Sequence, residues 1–166
     1  MKKNGVAIEC IRAKPFVCVA AELQLSHWIF SGGVAVKKVL IVDDSQAEVH
    51  LMQSMLQKGG FQTVGVFDST KTEEAIEEER PNVILLDVVM PQRNGFQVCR
   101  DLKNHRSYSS IPVILVTSKS APSDRYWGEQ QGANGFVAKP FTPEELLGAI
   151  AKAVNGTKSG VVSTVA

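Results

Sequence analysis

Asp43 and Asp44 directly follow one short apolar run, and Asp87 directly follows another. Carboxylates at close quarters repel one another unless a cation compensates, and a hard divalent ion with oxygen ligands, Mg²⁺ above all, is the natural partner. Two further runs end in complementary groups, one in Thr117-Ser118 and one in Lys139-Pro140. A carboxylate nucleophile, a divalent metal, an ammonium and a hydroxyl donor together suit phosphoryl transfer. Asp87 would attack phosphorus and form an acyl phosphate. The metal and Lys139 would neutralise the equatorial oxygens, and Thr117 would donate a hydrogen bond to one of them. Taken singly, each residue has a plainer role: Asp44 as a helix N-cap, Thr117 as turn chemistry, Lys139 as a solvated charge. Convergence decides between the two, and convergence depends on the elements that carry these residues.

From Val36 onward, short β-branched runs alternate five times with helical patterns. The runs are residues 39–42, 64–67, 83–86, 113–116 and 136–138, each too short for a helix and apolar as strands buried on both faces are. Between them, Val49, Met52, Met55 and Leu56 share a helical face, as do Phe96, Cys99 and Leu102, and then Leu146, Leu147, Ile150 and Val154. Ser45 with Glu48, Thr70 with Glu73, and Thr142 with Glu145 each fit a capping box, the last with Pro143 at the first helical position. Gly59-Gly60 and Gly132 mark helix ends. The second helix offers only Ala75 and Ile76 to a core and should be the more exposed. Five βα units imply an α/β doubly wound domain with a five-stranded parallel sheet, most simply in the flavodoxin-like order 2-1-3-4-5. Ligands in such folds bind beyond the carboxyl ends of the strands, where all of the residues above would stand.

Asp43-Asp44 after a hydrophobic strand, Leu85-Leu86-Asp87-Val88-Val89-Met90-Pro91 with Gly95, Thr117-Ser118 and Lys139-Pro140-Phe141 together resemble the signature of response-regulator receiver domains, over residues 36–154. The resemblance implies that Asp87 is the phosphoacceptor. It implies that Asp43, Asp44, Asp87 and the backbone carbonyl of Val89 hold Mg²⁺, Asp44 directly and Asp43 through water. Lys139 would bind the phosphoryl group, and its bond to Pro140 is expected to be cis. Thr117 and Phe136 match the two switch positions: phosphorylation would draw in the Thr117 hydroxyl and let the Phe136 ring turn inward, reshaping the face made by the fourth helix, fifth strand and fifth helix. Phe136 stands where tyrosine is frequent, so a partner contact through that hydroxyl is absent. Val89 and Lys119 flank the pocket, and neither is suited to position an attacking water, which implies slow loss of the phosphoryl group.

The remaining features bound the output. A net charge of +1 leaves no basic footprint for nucleic acid, and no stretch approaches the roughly 20 apolar residues of a membrane helix. Cys10, Cys18 and Cys99 are in neither CxxC nor metal-ligand spacing, which fits a reducing cytoplasm, with Cys99 a small buried hydrophobe. Residues 1–35 read as a flexible extension or an over-called start, and residues 155–166 as frayed coil. Nothing after residue 154 would form an output domain, so the output would be binding, by a monomer of the CheY kind that is driven by a CheA-like sensor histidine kinase. Residues 124–133, with the pair Trp127-Gly128, resemble receivers of pilus-driven twitching motility and cyanobacterial phototaxis, which implies a motor or pilus-machinery partner near Trp127. A phosphate sink or relay with the same pocket is the alternative. A haloacid-dehalogenase-type phosphatase would need an Asp at position 89, and Asp43-Asp44 would repel the phosphate of a flavin.

Overall fold

A computed structural model of the chain describes residues 38–119 and 121–156. Five strands, β1 (Lys38–Val42), β2 (Gln62–Val66), β3 (Val83–Leu86), β4 (Val113–Thr117) and β5 (Gly135–Ala138), form one sheet in the order β2-β1-β3-β4-β5. All pairings are parallel, with Val42 opposite Val66 on one side and Leu86 on the other. Five helices connect or follow the strands: α1 (Gln46–Lys58), α2 (Thr72–Glu79), α3 (Gly95–Asn104), α4 (Pro122–Gln130) and α5 (Pro143–Gly156). The strand alternation divides the core in two. Val39, Ile41, Val83, Leu85, Ile114 and Val116 pack with α1 and α5 through Val49, Met52, Leu56, Leu146 and Ile150. Leu40, Val42, Ile84, Leu86, Val113 and Leu115 pack on the other face with Ile76, Val98, Cys99 and Leu102. This is the expected doubly wound fold.

The strand limits differ most at β2, which runs over Gln62–Val66 and leaves Phe67 outside it and exposed. β2 is an edge strand paired only with β1, so Gln62 stays exposed and Thr63 is only half-buried, and no continuous apolar run marks the start. The helix ends follow the glycines: Gly59 caps α1, and Gly60 and Gly132 have φ of 84° and 86°. Asn155 and Gly156, expected in the tail, are in α5. Residues 1–37, with Cys10 and Cys18, lie outside the described residues, as do 120 and 157–166.

Of the three expected capping boxes, only Thr142 with Glu145 closes reciprocally. The Thr142 N–H donates to Glu145 Oε2 at 2.8 Å and the Glu145 N–H to Thr142 Oγ1 at 3.2 Å. Thr70 is not a helix cap. Asp68 accepts from the Thr70 N–H at 2.9 Å and opens a 3₁₀ turn, Ser69–Lys71, ahead of α2. Glu73 pairs with Arg93 at 2.8 Å instead. Ser45 does cap α1, at a long 3.5 Å from the Glu48 N–H, but the Glu48 side chain points elsewhere. A box not anticipated from the sequence, Asn94 with Gln97, starts α3.

Candidate functional site

The backbone ladder continues one residue past the strands and brings the charged residues together. Asp87 donates its N–H to the Val42 carbonyl at 2.9 Å, Asp43 to Val66 at 3.1 Å, and Lys139 to Thr117 at 2.9 Å. The Lys139–Pro140 peptide bond is cis, as expected. Gly95, the first residue of α3, closes the far wall of the mouth. A Cβ there would stand 2.0 Å from the Asp87 carbonyl oxygen, so only glycine admits this approach.

Lys139 is the hub of the side chains. Its ammonium lies 2.7 Å from Asp43 Oδ2, 3.0 Å from Asp87 Oδ1 and 3.0 Å from Glu48 Oε2. Asp43 is 1% and Asp87 5% exposed. The Ser45 N–H donates to Asp43 Oδ1 at 2.9 Å, and the Val89 N–H donates to Asp87 Oδ2. Burial pushes the Asp87 carboxyl above its ordinary value; Lys139 opposes that shift, Asp43 adds to it and the Val89 amide opposes it. Burial works against the Lys139 charge, but the bonds to Asp43, Glu48 and Asp87 outweigh it and hold its pKa above that of ordinary lysine. Glu48 is the member that the sequence reading missed, because it was assigned to a cap. Its place in the first turn after Asp43-Asp44, at the same end of the sheet as Lys139, was the available signal.

The other expected site residues are placed less closely. Asp44 stands beside Asp43 but is exposed. Thr117 is fully buried, and its hydroxyl accepts from the Lys119 N–H at 3.1 Å. The Val89 side chain is exposed. Phe136 is half-buried, with the Arg125 guanidinium 5.3 Å from its ring centre. Beside it lies a cavity of about 200 Å³ bordered by Arg125, Gly128, Glu129, Asn134 and Phe136. Tyr126 and Trp127 are exposed on α4 and meet edge to face. Cys99 is buried, donates to the Gln131 carbonyl at 3.4 Å and has its thiol pushed up to about 11 by burial, so it is inert packing.

The family described as the response regulator receiver domain matches residues 39–151. The chain belongs to that family. It is 39% identical over 123 residues to protein PilH of Pseudomonas aeruginosa, covering 74% of this chain and 98% of PilH. It is 35% identical over 113 residues to protein PilG of the same organism, covering 68% of this chain and 84% of PilG. The chemotaxis protein CheY4 of Vibrio cholerae has a similar structure, with a TM-score of 0.67 at 30% identity, covering 72% of this chain and 99% of that one. The protein therefore carries a CheY-like receiver domain of a two-component response regulator, a signalling module.

Among the described residues, no three His, Cys, Asp or Glu side chains stand close enough together to hold a metal as they are placed. Lys139 instead bridges the two buried carboxylates. The donors are nevertheless all hard oxygens, and three carboxylates surround one ammonium, with Asp44 adjacent. That composition fits a hard divalent cation. Among the described residues no helix is long and apolar enough to cross a membrane.

Proposed function

We propose that this receiver accepts a phosphoryl group on Asp87 from a sensor histidine kinase and thereby switches a protein-binding surface. The observation that carries the reading is the Asp87 carboxylate itself: 5% exposed, at the carboxyl end of β3, with Lys139 Nζ 3.0 Å from Oδ1. An oxygen of Asp87 would attack phosphorus as the phosphorus–nitrogen bond of a phosphohistidine breaks, leaving an acyl phosphate on Asp87 and a neutral histidine on the kinase. Asp43, Asp44, Asp87 and the Val89 carbonyl would hold Mg²⁺, which supplies charge neutralisation to the transferring group. Lys139 would bind a phosphoryl oxygen and Thr117 would reorient to donate to another.

The output would run through Phe136. The Arg125 guanidinium lies over its ring, and the neighbouring Tyr126 and Trp127 are the exposed aromatics of α4. A change in Phe136 would be felt directly by that patch, which suits an aromatic anchor for a partner. This favours a binding switch over a phosphate sink. Likeness to PilH, PilG and the chemotaxis protein CheY4 supports a place in a motility or taxis system with a pilus or motor partner. The test is the intact mass of the protein after incubation with a small acyl-phosphate donor and Mg²⁺. One added phosphoryl group is expected, absent without Mg²⁺ and absent in Asp87→Asn. Equal incorporation by the variant would overturn the assignment.

A further inference from the structure

Of the three carboxylates on Lys139, Glu48 is the one that neither the phosphoacceptor nor the metal reading requires. It lies in the first turn of α1, three residues after the N-cap Ser45. A glutamate at that position ordinarily turns back to accept from the N–H of the cap residue. In this chain the Ser45 N–H is already donated to Asp43 Oδ1 at 2.9 Å. Glu48 is thereby released from capping and reaches Lys139 Nζ at 3.0 Å. Asp43 and Asp87 accept hydrogen bonds from the Lys139 ammonium, and Glu48 pairs with the same ammonium at 3.0 Å.

We infer that Glu48 is a placeholder that pairs with the Lys139 ammonium until a phosphoryl oxygen takes its place, and so sets how tightly the pocket holds its phosphoryl group. The inference rests on the reading of Asp87 as phosphoacceptor. When a phosphoryl oxygen arrives at Lys139, one of its three carboxylate contacts has to give way. Asp43 is 1% exposed, so its carboxylate has no solvent to turn into and stays against Lys139. Asp87 is the group being modified. The Glu48 side chain is 38% exposed, so it can turn into water, where a carboxylate is well solvated. The exchange replaces one anionic oxygen by another beside the same ammonium and moves no proton. Glu48 therefore competes with the phosphoryl group for Lys139. It is a positioning residue for that ammonium, not a group that touches phosphorus.

The test measures the affinity of the full chain for beryllofluoride, a stable stand-in for the phosphoryl group, in excess Mg²⁺ by calorimetry. Wild type is compared with Glu48→Gln, Glu48→Asp and Glu48→Ala, and melting temperatures are recorded beside the affinities. Glutamine keeps the shape and loses the charge, whereas aspartate keeps the charge on an arm one methylene too short for Lys139. All three should tighten binding by about threefold, the scale of a partly exposed ion pair. The phosphoryl lifetime on Asp87 should lengthen in step. If Glu48→Gln tightens binding while Glu48→Asp behaves as wild type, simple repulsion is at work and the placeholder is excluded. Lower melting temperatures with unchanged affinity would reduce Glu48 to a structural ion pair and overturn the inference, yet leave Asp87 as acceptor. Failure of the wild type itself to bind beryllofluoride would overturn both readings.

Discussion

The two ends of the sheet use the same chemical groups to opposite effect. At the amino end, Lys38 pairs with Glu79 at 2.9 Å, both about a third exposed, and the N–H groups of Lys38 and Val113 donate to the side chains of Asn82 and Asn134. Lys103 donates to the Ile111 carbonyl at 2.7 Å, and the Tyr108 hydroxyl donates to Glu77. These bonds tie strand starts and loops to neighbouring helices, and the Lys38–Glu79 ion pair is partly solvated. At the carboxyl end, one ammonium that is 15% exposed serves two carboxylates almost wholly removed from water, and a third at the rim. Buried charges of one sign in excess disfavour the folded state. The fold tolerates at one end what it has arranged to avoid at the other, and that contrast locates function independently of any motif.

The largest expected effect comes from Gly95→Ala. The new Cβ would stand 2.0 Å from the Asp87 carbonyl oxygen and 2.9 Å from Val88 Cα, both backbone atoms that cannot swing aside. A loss on the order of 4 kcal/mol is expected in urea unfolding, or failure to fold. A well-tolerated alanine would mean that the carboxyl end has slack and is not the rigid mouth described. Next in size is Lys139→Met, which leaves Asp43 and Asp87 buried without their cation and should cost about 3 kcal/mol. Loss of less than about 1 kcal/mol would put this pair in the same class as the exposed ion pairs of the amino end and dissolve the comparison.

Asp87→Asn should act in the opposite direction. Burial raises the folded-state pKa of Asp87 above the ordinary carboxyl value, so ionised Asp87 disfavours folding. Below the ordinary carboxyl range both folded and unfolded states are protonated and the penalty is gone. The penalty is complete once the pH has risen through the raised folded value. The variant should therefore be more stable than wild type near neutral pH, by on the order of 1 kcal/mol, with the gain shrinking as the pH falls toward the ordinary carboxyl range. Thermal melts of both proteins from acid to neutral pH would check it; a gain that does not change with pH would not come from the charge.

Much of this contrast could be read from the sequence. Strand order and the strand-end positions of Asp43, Asp87 and Lys139 followed from buried parallel strands being continuous apolar runs with a change of chemistry at their ends. Edge strand β2 was placed less well because half its surface is solvated and the run is broken by Gln62 and Thr63. Glu48 and Glu73 were misread for a shared reason. Local spacing assigns a glutamate to the nearest helix cap, whereas Lys139 and Arg93, distant in the chain, draw these two side chains away. Of the three boxes, the one that closes, Thr142 with Glu145, is the one whose glutamate is not engaged by a distant cation among the ion pairs described. Long-range charge pairing is invisible to a four-residue window, and here it decides which acidic residues belong to the site.

The smallest effect should come from the amino end, where Lys38→Met removes the ion pair with Glu79. Both side chains are about a third exposed, so Glu79 would return to water instead of being stranded, and the Lys38 backbone bond to Asn82 would stay in place. The change should be under about 1 kcal/mol and should fade further as salt is raised, because the pair lies where screening reaches it. Placed beside Lys139→Met under the same conditions, it compares one lysine–carboxylate contact with another at opposite ends of the same sheet. Salt should leave the larger loss nearly unchanged, since the Lys139 bonds to Asp43 and Asp87 are shielded from counterions by burial. If raised salt erased both losses alike, the carboxyl-end charges would be as solvated as those at the amino end, and the physical argument that singles out Asp87 would lose its footing.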